Sequence, residues 1–125
     1  MMNTVIKPEP SAAYVLTRAT VRAADALGLS GSELARIIGV SNATVSRYRS
    51  GSSELQPHSK AGELALLLVR VFRSLDPLVG SDSDMRKQWM SARNQALDAI
   101  PAELLRSPEG LVRTLAYLDG MRAVA

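Results

Sequence analysis

One glycine, Gly39, does more than any other residue to limit what this chain can fold into. It follows the apolar-rich run Glu33-Leu34-Ala35-Arg36-Ile37-Ile38 and precedes Val40-Ser41. Helical spacing on both sides predicts two short helices that must turn sharply at this point, and glycine tolerates the positive φ such a turn requires. The local signals agree. Ser30 with Glu33 three residues later is a capping-box pattern for the first helix. Ser41 is placed to cap the second, which is expected to span Asn42 to about Arg49. Ala35 is small where the helices would cross closely. Ile38, Val45 and Tyr48 are spaced to clamp the pair from inside, and Ser50-Gly51-Ser52-Ser53 reads as a loop.

The second helix carries polar chemistry on its outer side. Asn42, Ala43, Ser46 and Arg47 fall on one face. Asparagine suits bidentate contact with adenine, arginine with guanine, alanine a thymine methyl, and serine either donor or acceptor edges. Arg49, Arg36 and the amides around Ser50 and Gly51 suit phosphates. Charge placement supports the same use. Residues 1–60 hold seven Lys/Arg against four Asp/Glu, whereas residues 61–125 hold eight of each, so the whole surplus of +3 lies in the half that contains the paired helices.

The chain has 125 residues, of which 46 % are hydrophobic, enough for one ordinary domain or two small helical ones sharing a core. Met1 to Pro10 is polar, carries two prolines, lacks a signal-peptide pattern and reads as part of a loose arm over 1–11. Ala12 to Leu27 has helical spacing with Val15, Leu16, Ala19, Ala23, Ala26 and Leu27 inward, and Gly28 is its stop. Ala61 to Leu75 is apolar around most of its circumference and must be covered on several sides. It is too short and too charged for a membrane span. Pro77 and Gly80 are expected to end it. A further helix is expected from Asp82 to Ala99 with Met85, Trp89, Ala92, Ala96 and Ile100 inward. Pro101 to Leu105 is a short helix. Ser107-Pro108-Glu109 reads as the start of a last one, with Leu111, Val112, Leu115, Leu118 and Met121 apolar. The expected fold is all-α, six or seven helices, without internal repeats, divided into a helix-turn-helix unit over 12–60 and a helical unit over 61–125.

Two resemblances follow from these residues. The stretch 29–51 resembles the helix-turn-helix of phage repressors and Xre-type regulators, in the pattern Leu29-Ser30, Glu33-Leu34-Ala35, Gly39-Val40-Ser41, Thr44-Val45-Ser46-Arg47-Tyr48 and Gly51. The resemblance implies base reading by Asn42, Ala43, Ser46 and Arg47 and phosphate contacts by Ser32 and Gly51. With Ser41, Thr44 and Arg49 these form the expected DNA interface, on a palindromic operator bound by a homodimer. The second half, with Trp89-Met90, Asn94, Ala96-Leu97, Pro101, Glu103-Leu104-Leu105 and Glu109-Gly110, resembles the Xre/MbcA/ParS toxin-binding domain of type II antitoxins. It departs in Met90 for a usual leucine, in Asp98 or Ala99 where glycine is common, and in Ser107-Pro108 for a threonine-containing turn.

That second resemblance implies a RES-domain toxin, an enzyme that destroys NAD, as partner. The toxin's active-site entrance would be covered by the C-terminal helices, and the pair would repress its own operon. Arg106, Arg113, Tyr117, Arg122, Val124 and Ala125 are the expected toxin contacts. A cytoplasmic setting fits a chain without cysteine. The alternative is a plain dimeric repressor that uses 61–125 only to dimerise. No cofactor, metal or enzymatic activity is expected. His58 is the only histidine, beside Pro57 in a loop. Asp82 and Asp84 serve a helix start better than a cation, Trp89 reads as a core anchor, and no Ser/His/Asp constellation appears.

Overall fold

The computed structural model describes residues 9–124. Seven helices account for its regular structure: α1 (Ala12–Ala26), α2 (Gly31–Ile38), α3 (Asn42–Ser50), α4 (Lys60–Val79), α5 (Ser83–Ser91), α6 (Pro101–Leu104) and α7 (Pro108–Val124). No strand occurs among the described residues, only one isolated bridge between Asn94 and Ala99. The expected arm over 1–11 lies mostly outside the described residues. Its last member, Ser11, caps α1 by accepting from the Tyr14 N–H at 3.0 Å.

The long α4 is the spine. It packs against α1 and α2 on the side of the first half and against α5 and α7 on the side of the second. Ala65, Leu68, Val71 and Leu75 of α4 are fully enclosed, and they join Leu34 and Ile38 of α2 to Leu111 and Leu118 of α7 in one continuous core. This explains the near-circumferential apolar pattern of its sequence. The helix is longer than its pattern suggests. Pro77 lies inside its final turns, and the end comes at Gly80, where φ is 79°. Proline has a helical φ and costs only one backbone bond there, so it weakens the last turns without ending them.

Three expectations about buried faces need correction. In α1, Val15 is 54 % exposed, while Ala13, Thr17, Thr20, Val21 and Ala24 are buried. The threonines are admitted because their hydroxyls return to the carbonyls of Ala13 (2.6 Å) and Leu16 (2.7 Å). In α7, Val112 and Met121 face solvent and Thr114 is buried, its hydroxyl donating to the Gly110 carbonyl at 2.8 Å.

The helix expected over 82–99 stops at Ser91. Beyond it, the Asn94 side chain accepts from the Leu97 N–H at 3.0 Å, Asn94 and Ala99 pair through their backbones, and Asp98 adopts φ 53°. Asparagine here offers the backbone a local alternative to the helix. Met90 and Leu97 are therefore the buried residues of this stretch. Met85, Ala92 and Ala96 are exposed, with Trp89 and Ile100 partly covered.

The start of α7 has one strict steric requirement. Gly110 lies so close to the α6 end that a Cβ on it would sit 1.9 Å from the Leu104 carbonyl oxygen. Gly120, in the same helix, has open space around it. Gly110→Ala should therefore destabilise the protein by about 3 kcal/mol or more. Gly120→Ala should be neutral or stabilising by up to about 1 kcal/mol. Urea denaturation of the two variants checks the contrast.

Candidate nucleic-acid and protein interfaces

The first surface is built by α2 and α3. Ser30 accepts from the Glu33 N–H at 3.1 Å while the Glu33 carboxylate accepts from the Ser30 N–H at 3.0 Å, completing the capping box. Gly39 takes φ 75° and its N–H returns to the Ala35 carbonyl, so the chain reverses as expected. Ser41 caps α3 by accepting from the Thr44 N–H at 3.1 Å. Ile38, Val45 and Tyr48 are buried between the helices. Burial also pushes the Tyr48 hydroxyl above its ordinary pKa of 10.0, with the Arg47 charge acting in the other direction.

With that inner face fixed, the outer face presents Asn42, Ala43, Ser46 and Arg47, all exposed. Arg47 is partly pre-positioned. Its guanidinium donates to the Thr44 hydroxyl oxygen at 3.0 Å, and that hydroxyl lies 2.8 Å from the Ser41 hydroxyl. The chain Ser41–Thr44–Arg47 therefore leans the arginine toward the N-terminal end of α3, the end that reaches base edges in helix-turn-helix docking. Ser32 is exposed on the first turn of α2, and Gly51, at φ 82°, closes α3. Arg49 is held by Asp25 of α1 at 2.9 Å, with both side chains substantially exposed. An ion pair of this kind is worth little and opens readily to a phosphate.

Residues that the sequence did not mark hold α3 in place. The loop after α3 buries Leu55, whose N–H donates to the Thr17 hydroxyl at 2.7 Å. Thr17 thus bridges α1 and the loop. Only the Thr17 position on a helix face, not any pattern, hinted at this.

The second surface is the outer side of α7 and the 92–100 loop. Arg113 does not extend freely into solvent, since its guanidinium donates to the Leu97 carbonyl at 2.5 Å and pins the loop to the helix. Arg93 and Asp98 close that loop from outside. Tyr117 packs partly against the core. Arg122 donates to the Ser74 hydroxyl at 3.2 Å, and that hydroxyl donates to Asp119 at 2.7 Å. Arg106 is exposed, and Val124 is 86 % exposed. Ala125 lies outside the described residues. Between these, Val112, Ala116, Gly120 and Ala123 leave the exposed face of α7 smooth and small-featured. Among the described residues no group of three or more His, Cys, Asp or Glu could hold a metal ion, and no helix is long and apolar enough to cross a membrane.

Each half of the chain matches a known family. The family model of the antitoxin Xre-like helix-turn-helix domain matches residues 9–70. That of the antitoxin Xre/MbcA/ParS C-terminal toxin-binding domain matches residues 74–123. Among solved structures the chain is similar to one from the crystal structure of the M. tuberculosis MbcT-MbcA toxin-antitoxin complex. The identity is 29 %, the TM-score 0.65, and the match covers 86 % of this chain and 93 % of that one. No curated protein matches.

Thr17 gives a test of how α3 is held. Thr17→Val leaves the Leu55 N–H buried without a partner and should cost about 1–3 kcal/mol in urea denaturation. Thr17→Ser, which keeps the hydroxyl, should recover most of that loss.

Proposed function

Because this chain belongs to the antitoxins that join an Xre-like helix-turn-helix domain to an Xre/MbcA/ParS toxin-binding domain, we propose that it neutralises a RES-domain toxin and represses its own operon. The observation that carries this reading is the succession of the two domains along one chain, each with an accessible face that its role requires. For DNA, that face is Asn42, Ala43, Ser46 and Arg47 on α3, with Ser32, Ser41, Thr44, Arg49 and Gly51 around it. The basic surplus of the first sixty residues adds phosphate attraction. For the toxin, the face is the outer side of α7 with Arg106, Arg113, Tyr117, Arg122 and the end of the chain.

The role at the toxin is steric and electrostatic rather than catalytic. Small residues along the exposed side of α7 allow a close approach. Arginine is suited to a site built around phosphates, because its planar fork binds such groups or the carboxylates that surround them. A protein seated there would cover the NAD entrance of the toxin. The similar chain comes from a structure described as a toxin-antitoxin complex. Operator binding by such a chain would involve a homodimer on a two-fold site, in a cytoplasmic setting where both DNA and NAD are present.

Co-expression with the product of the adjacent gene should restore the growth that this product arrests, and the two should co-purify. A chain that shifts operator DNA but neither rescues growth nor co-purifies would be the plain repressor instead. On the DNA side, Arg47→Ala should relax base preference at one position, by about 1–3 kcal/mol of discrimination. Arg49→Ala should weaken all sequences alike and reduce the slope of log K against log salt by about one. Fluorescence anisotropy on cognate and scrambled duplexes at several salt concentrations separates the two effects.

A further inference from the structure

The later turns of α4 and the end of α7 flank a cleft of about 590 Å³, lined by Arg70, Arg73, Ser74, Asp119 and Arg122. Three guanidinium groups share it with a single carboxylate. Residues 61–125 are neutral as a whole, with eight cations and eight acids, so this excess is a local concentration and not part of a generally basic surface.

The arginines are poorly partnered. Arg73 forms no ion pair among the described residues, and Arg70 reaches Asp119 only at 3.7 Å. Arg122 donates to a neutral oxygen, the Ser74 hydroxyl, at 3.2 Å. That hydroxyl occupies the Asp119 carboxylate, donating to it at 2.7 Å. Ser74 is 3 % exposed, so the floor of the cleft is a fixed polar group. Arg70 and Arg73 stand one turn apart on α4, about 4.5 Å along its axis, and Arg122 enters from α7. Each guanidinium presents its N–H groups as a planar fork, so the two helices supply forks from two directions. A carboxylate offers two oxygens in one plane. A phosphate group offers three strong acceptor oxygens and about −1.5 to −2 charge at neutral pH, which answers three forks and offsets the local excess.

We propose that the α4–α7 cleft binds a phosphate-bearing small anion through Arg70, Arg73 and Arg122, either as free phosphate or pyrophosphate or as the terminal phosphate of a nucleotide. On binding, Arg122 exchanges the neutral Ser74 oxygen for a charged and stronger acceptor. The site goes beyond the antitoxin reading and does not depend on it, because the chain by itself carries every residue the anion needs.

Calorimetric titration of the full chain with phosphate, pyrophosphate and ADP, and with citrate as a polycarboxylate control, at one ionic strength tests it. Pyrophosphate should saturate one site per chain and bind at least tenfold more tightly than citrate. Arg73→Gln and Arg122→Gln, both exposed positions, should each weaken it about tenfold or more with unchanged helicity by circular dichroism. Arg22→Gln, on α1 and outside the cleft, should leave it unchanged. Asp119→Asn should tighten it by removing the one competing negative charge while keeping an acceptor for Ser74. ADP binding more tightly than pyrophosphate supports a nucleotide, and ADP binding no more tightly supports the free anion. Absence of saturable binding by every phosphate compound overturns the inference, as does equal affinity for citrate. Binding that Arg73→Gln and Arg122→Gln leave intact, or that Arg22→Gln weakens equally, overturns it too. Loss of toxin co-purification in Arg73→Gln, with no phosphate compound bound by the wild type, assigns the cleft to acidic side chains of the toxin. That outcome removes this inference and leaves the antitoxin reading standing.

Discussion

The burial of α4 between α1 and α7 is the constraint on which the rest of the structure depends. Ala65, Leu68, Val71 and Leu75 are removed from water only because helices from both halves of the chain cover them. Truncating a leucine in such a position costs about 2–5 kcal/mol, a large share of the stability of a small domain. Neither half encloses this helix alone. The two family matches meet between residues 70 and 74, inside α4. The boundary between the two family domains therefore runs through a continuous helix rather than a linker, and the α2–α3 pair is fixed to the same core as the C-terminal helices.

Features set by local chemistry were legible in the sequence. Ser30 with Glu33, Gly39 and Ser41 each act on backbone groups a few residues away, so their spacing alone located α2, the turn and α3. The same holds for Ser107, whose hydroxyl accepts from the Gly110 N–H at 3.0 Å to start α7. Faces were harder to read. Val15 and Leu66 are as apolar as their buried neighbours, and hydrophobic spacing does not distinguish a stripe that meets the core from one that stays exposed. Thr17, Thr20 and Thr114 show the reverse case, polar residues made internal by a bond to their own helix. The overlong reading of α5 has a related cause. The stretch Ala92–Ala99 has ordinary helical residues, and only the return of the Asn94 side chain to the Leu97 N–H diverts it.

The site divides along the same line. The outer residues of α3 follow from its caps, because once Ile38, Val45 and Tyr48 are inside, Asn42, Ala43, Ser46 and Arg47 have only the outside left. The outer surface of α7 was less accessible to such reasoning. Arg113 and Arg122 look alike in sequence, yet one pins a loop through the Leu97 carbonyl and the other bridges to α4 through Ser74. These contacts span 16 and 48 residues, and no local rule supplies them.

Arg86 shows how the two ends are joined physically. Its side chain is only 11 % exposed and reaches two other helices, α1 and α4, through three contacts. The Nε–H donates to the Ala26 carbonyl at the end of α1 (3.3 Å), the guanidinium binds Asp76 of α4 at 2.8 Å, and the same group lies 5.7 Å over the Phe72 ring. A cation at the C-terminus of α1 is favoured by the helix dipole, and here it also serves the turn that leads into α2. Next to it, Lys87 packs over Gly28, the glycine of that turn. The helix pair that presents Arg47 therefore starts from a turn clamped by α5, and α5 leads through the 92–100 loop that Arg113 ties to α7. A displacement of α7 has to carry the 92–100 loop with it, or break the part-buried, charge-assisted hydrogen bond from Arg113 to the Leu97 carbonyl.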